Sequence, residues 1–151
     1  MRSQIDSSKA LDYPPNIQAI IKRPAAASAW LGQSLLEIDT NADWIKIAYE
    51  LTDSHLNRYG AIHGGVIAAV MDDVLATAAG LKLQWGEIAP TLEMKVSYIA
   101  QAQAGRYVAE ARAIKRGRTI VFLESTLSTE QGKLIATASA TIMIAPLKKP
   151  A

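Results

Sequence analysis

The chain has no cysteine. Disulfides and thiolate metal sites are therefore excluded, and the composition fits a reducing compartment. Histidine occurs only at His55 and His63, with no H-x-x-x-H or similar spacing, so no metal is expected. A Gly-x-Ser-x-Gly elbow is missing, which argues against a serine hydrolase. A phosphate-binding glycine loop is missing too. The net charge is only +2 and no dense basic stripe occurs, so nucleic acid is not an expected partner. The apolar run from Val66 to Leu81 is too short to cross a bilayer, and it contains Asp72 and Asp73. The leading "MRSQIDSSKALDYPP" mixes charges and has no apolar segment, so no secretory signal is expected. These absences together point to a soluble, cytoplasmic protein that associates with no membrane.

What remains is a chain of 151 residues, half of them apolar, enough for one domain with a sizeable core. Residues 1–34 read as a separate helical arm punctuated by Pro14, Pro15 and Pro24. Within it, "NIQAIIK" suits a short helix capped by Asn16. The arm is expected to cover the main fold or a partner subunit. The main domain then occupies 35–151.

From Leu35 the pattern changes. "LLEID" and "WIKIAYEL" are rich in β-formers and flank the turn signal "TNAD". In the second run Ile45, Ile47, Tyr49 and Leu51 share one face. After Pro90, "TLEMKVSYI" alternates apolar and polar, and "RYVAEARAIK", "TIVFLESTLST" and "LIATASATIMI" continue as strands. Between the two groups lies a helix that is apolar nearly all round, which must be covered on most sides. The order predicts an α+β fold, a curved antiparallel sheet of about six strands wrapped around one long helix. One small sheet cannot cover every face of that helix, so a homodimer at least is expected.

Two adjacent carboxylates, Asp72 and Asp73, sit inside this helix, and buried charge is costly unless something offsets it. The stretch before them is "N-x-x-G-x-x-H-G-G", with Asn57, Gly60, His63, Gly64 and Gly65, and after them comes "T-L-E-M-K-V-S-Y". This constellation resembles the hotdog-fold acyl-CoA thioesterases, most closely the phenylacetate-pathway (PaaI-like) branch. The likeness runs from about Leu35 to Ile144 and includes the "RGRT" and "KLIATASAT" segments. It implies a hotdog fold, an acyl-CoA substrate whose coenzyme A is not a separate cofactor, and a dimer or dimer of dimers. It also implies Asp72 as the catalytic acid, Thr91 as a hydroxyl that holds the attacking water, and a basic residue at Arg118. The resemblance gives Asp73 no role and His63 no proton transfer.

Physical reasoning supports the motif separately. Gly64 and Gly65 begin the helix, where backbone N–H groups are unpaired and the dipole is positive, a ready site for an oxyanion. Asp72 can take the proton from a water that attacks a thioester, or attack as a nucleophile itself. Gly64 and Asp72 are eight residues apart, roughly 12 Å along a helix axis, too far for one aspartate to bridge. The two groups converge only if a second, antiparallel helix brings its own acid, so the site must be shared between chains. Asp73, about 100° round the helix, reads as a carboxylate that bonds a strand or reaches solvent. Asn57 either contacts substrate or fixes its loop, and His63 reads as an orienting residue. Gly65 and Val66 would line the substrate, with the acyl group against Val66, Ile67 and Val70. Arg116 and Arg118, at a hairpin tip, suit the phosphates of coenzyme A. His55 reads as a surface loop residue. Two other readings share the scaffold: a non-catalytic acyl-CoA-binding regulatory protein, and a hydratase or dehydratase using a histidine–acid pair.

Overall fold

The β-branched runs become strands and the alanine-rich run becomes the one long helix. The computed structural model describes residues 3–5, 15–22 and 24–147. Along the chain these are β1 (Ser3–Gln4), α1 (Pro15–Lys22), α2 (Ala26–Trp30), β2 (Ser34–Asp39) and β3 (Trp44–Leu51). Then come α3 (Gly64–Gly80), β4 (Glu87–Ile88), β5 (Thr91–Tyr98), β6 (Gly105–Arg116), β7 (Ile120–Thr129), β8 (Leu134–Met143) and β9 (Ala145–Pro146).

Among the described residues the main sheet has seven strands in the order β1-β2-β3-β6-β7-β8-β5, one more than the sequence suggests, because β1 of the arm pairs with β2. Every pairing is antiparallel. β4 and β9 form a small separate ladder. α3 lies across β3, β5, β6, β7 and β8. This is the hotdog fold.

Helix α3 buries Ile67, Val70, Met71, Val74, Leu75, Ala78 and Ala79 on the sheet side. That spacing of three and four marks one face. Its other face carries Ala69, Asp72, Asp73, Ala76, Thr77 and Gly80, all half-buried. The outward face is therefore small rather than bulky, and the arm covers part of it. Ile67 and Val70 belong to the core and cannot line a substrate as expected.

The two ends of α3 are finished differently. At the start, His63 is the cap: its Nδ1 accepts from Gly65 N–H at 2.9 Å. At the far end, Asn16 Nδ2 donates to Gly80 O and Leu81 O at 3.2 and 2.8 Å. Arg116 donates there too, from Nη1 to Ala79 O at 3.2 Å and from Nη2 to Ala79 O at 3.2 Å. Carbonyls at a helix C-terminus attract a cation for the same reason that amides at its start attract an anion. Asn16 is thus no cap of α1. Pro15 opens that helix, where proline's missing N–H costs nothing, and the Asn16 amide is spent on α3. Where the arm turns into β2, Gly32 has φ +66°, and a Cβ there would lie 2.8 Å from Glu50 Cβ. Only glycine lets the arm pass so close to β3.

Candidate active site

The two adjacent acids part company. Asp73 is fully engaged: it accepts from Ser28 Oγ at 2.5 Å, Tyr49 OH at 2.6 Å and Gln33 Nε2 at 2.8 Å. These donors come from α2, β3 and the turn between α2 and β2. Burial, and then the Asp73 charge, push the Tyr49 hydroxyl well above the usual tyrosine pKa of 10.0. Tyr49 was readable as inward-facing, and a buried tyrosine hydroxyl calls for an acceptor. Its partner lies on another element, and no local pattern names it.

Asp72 sits about 100° round α3 from Asp73. Its Oδ1 accepts from Thr91 Oγ1 at 2.8 Å, at the start of β5. Among the described residues, Thr91 is the one hydrogen-bond partner of this carboxylate. The structure thus brings together Asp72 and Thr91, and leaves the second carboxylate oxygen available.

The loop before α3 is tightly tied. Asn57 Oδ1 accepts from Tyr59 N–H at 2.8 Å and Ala61 N–H at 3.3 Å, closing the turn. His63 N–H donates to His55 O at 2.9 Å. The Val66 and Ile67 amides go to His63 O, and the Gly65 amide to the His63 ring. The Gly64 N–H has no acceptor among the described residues. It is the open donor at the positive end of the helix. A Cβ on Gly64 would meet the Tyr98 ring at 3.6 Å, and Tyr98 OH donates to Gly64 O at 3.1 Å. Tyr98 is a neighbour of the site that sequence reasoning missed. Its place at the end of the alternating β5 run was the available signal.

His63 accepts the Gly65 amide at Nδ1, so that nitrogen carries no proton, and its role is capping. Among the described residues no acid is hydrogen-bonded or ion-paired with it. His55 is buried, which corrects its placement on the surface. Its Nδ1 accepts from Thr52 N–H at 2.8 Å, and its Nε2 faces Trp30 O at 3.2 Å. It joins the loop to the arm. Arg116 is half-buried, with Nε donating to Asp43 Oδ2 at 2.9 Å besides its helix contacts. Its guanidinium is committed to the fold, so the phosphate contact expected of it falls away. Arg118, on the same hairpin, is exposed and has no ion-pair partner among the described residues. Gly65 and Val66 sit at the first turn of α3, partly accessible.

Among the described residues, no three His, Cys, Asp or Glu side chains gather as a metal site. No described helix is long and apolar enough to cross a membrane.

An antiparallel sheet packed on one long helix, with an acid along that helix and an open amide at its start, defines the hotdog class. The sequence profile of the Thioesterase superfamily matches residues 59–136. The chain belongs to the thioesterase superfamily. It is similar to the solved structure of a phenylacetic acid degradation-related protein from Ralstonia eutropha JMP134. The identity is 36%, over 81% of this chain and 92% of that one, with a TM-score of 0.77. It is also similar to human acyl-coenzyme A thioesterase 13, 27% identical over 85% of this chain and 84% of that protein. The PaaI protein of the E. coli phenylacetic acid degradation operon shares the fold. Its TM-score is 0.77 at 20% identity, over 92% of this chain and 95% of that one.

Proposed function

We propose that the protein hydrolyses acyl-CoA thioesters at two sites shared across a homodimer. The observation that carries this reading is the pairing of an open donor with an available acid that cannot meet within one chain. Among the described residues the Gly64 N–H lacks an acceptor and one oxygen of Asp72 has no donor, yet roughly 12 Å of helix separates them. A second α3 running antiparallel brings Asp72 to the partner subunit's Gly64. The exposed edge strand β5 supports such pairing, because Leu92 and Tyr98 on it are 55% and 54% exposed.

In this site the thioester carbonyl oxygen accepts from the partner subunit's Gly64 N–H. Thr91 holds one oxygen of Asp72, and the other takes a proton from water as that water attacks the carbonyl carbon. The negative charge that develops on the carbonyl oxygen is stabilised by the amide and the helix dipole. The tetrahedral intermediate collapses, the C–S bond breaks, and the thiolate of coenzyme A takes the proton back from Asp72. The products are a free acid and coenzyme A. We assign the coenzyme A phosphates to Arg118 because it is exposed and has no ion-pair partner among the described residues. His63 serves as the cap that orients the first turn.

The test is thiol release from a panel of acyl-CoA esters by the parent and by Asp72→Asn. Asn keeps the size but cannot take a proton, so kcat should fall on the order of a thousandfold with binding kept. Equal turnover by both would refute the assignment. A single turnover in heavy-oxygen water separates base from nucleophile: the first acid released carries the label if Asp72 acts as the base. Sedimentation must show at least a dimer, because a monomer cannot assemble the site.

A further inference from the structure

A cavity of about 1050 Å³ lies beside α3, at the upper end of the range for small-molecule sites. Its floor is Ala76, Thr77 and Gly80 of α3, one wall is Ala19 and Ile20 of α1, and the other wall includes Trp85. Asp73 and Ser28 also border it, already bonded to each other. Thr77 Oγ1 donates to Asp73 O at 2.6 Å, so its polar atom is satisfied as well. An apolar occupant therefore displaces no hydrogen bond from these groups.

Asp73, not Asp72, borders the cavity; Asp72 stands one helical turn before its floor. Asp72, Ala76 and Gly80 are four residues apart in turn, which stacks them on one line of the helix. That line runs roughly 12 Å from Asp72 to Gly80. Alanine and glycine leave it low, and Trp85 beside it is 100% exposed. The arm wall is held by hydrogen bonds rather than by its own loop. Asn16 grips the end of α3, Ser28 and Gln33 grip Asp73, and the His55 ring faces Trp30 O.

We propose that this groove receives the acyl chain of the thioester, and that the arm makes the site favour decanoyl-length chains over acetyl. The inference rests on the hydrolysis reading above and adds its substrate class. An acetyl group ends near Asp72 and never reaches the arm. A chain of medium length lies along Ala76 and Gly80, between Ile20 and Trp85.

The experiment compares the parent with Ala19→Trp, which narrows the groove from the arm, and Trp85→Ala, which removes the opposite wall. Two readouts are taken: the ratio of kcat/KM for decanoyl-CoA to that for acetyl-CoA, and calorimetric titration with free decanoate. Both variants should lower the ratio, and weaken decanoate binding, by about tenfold, the effect of losing the burial of roughly two methylenes. If the parent hydrolyses both esters and neither variant moves the ratio, the groove assignment is overturned and the hydrolysis reading stands. If no ester is hydrolysed but decanoate binds the parent and Ala19→Trp weakens it, the groove stands and hydrolysis falls. If decanoate fails to bind and Ala19→Trp instead lowers the mass of the assembly, a second copy fills the groove and the proposal is wrong.

Discussion

Asp72 and Asp73 are neighbours in sequence with the same chemistry, yet among the described residues one has a single side-chain donor and the other has three. The difference comes from where each points. A rotation of about 100° turns Asp73 toward β3 and the arm, and Asp72 toward β5. Full satisfaction makes a carboxylate a structural tie, while partial satisfaction leaves it able to accept a proton. The ends of α3 repeat the contrast, with carbonyls bonded by Asn16 and Arg116 at one end and an open amide at the other.

The contrast can be broken in several ways. Asp72→Asn, the largest effect, should remove turnover as described while leaving the melting temperature within a few degrees. Gly64→Ala comes next. In one chain its Cβ would make ordinary contact with the Tyr98 ring, and alanine suits a helix by about 0.5–1 kcal/mol over glycine. Stability should hold or rise, while kcat/KM falls by about a hundredfold, because in the proposed site the thioester carbonyl approaches that backbone. Asp73→Ala should reverse the pattern. It strands buried donors and should cost about 2–3 kcal/mol in urea unfolding, with turnover of the folded fraction changed only a few-fold.

The smallest effect is with Tyr49→Phe. The folded-state hydroxyl titrates above 10.0, so above that pH the unfolded chain loses a proton that the folded chain keeps. Folding stability is then fully present below pH 10.0 and declines as pH rises toward the folded value. Tyr49→Phe should flatten this alkaline decline in urea unfolding at a series of pH values. At neutral pH it should cost about 1 kcal/mol for the lost hydrogen bond. An unchanged alkaline slope would show that Tyr49 is not its source.

Much of the fold was legible because alternation and helical spacing are local signals. β3, β5, β6, β7 and β8 lie where the β-forming runs put them, and α3 opens at the glycine pair. The arm was less legible. Its two-residue strand β1 has no pattern of its own and exists because β2 offers an edge. Asn16 looked like a cap by type, but its amide was recruited by carbonyls 64 and 65 positions away. Arg116 and Arg118 looked alike on one hairpin, and only packing decided that the first turns inward to Asp43 and α3.

By itself the sequence determined the strands, the central helix, the glycine pair at its start and the two adjacent acids within it. These follow from residue type and spacing, which act over a few positions. Tertiary structure decided which acid stays available, because the donors that occupy Asp73 arrive from 45, 40 and 24 residues away. It also decided that the arm walls a cavity over the small residues of α3, since no local preference records what packs across a helix face.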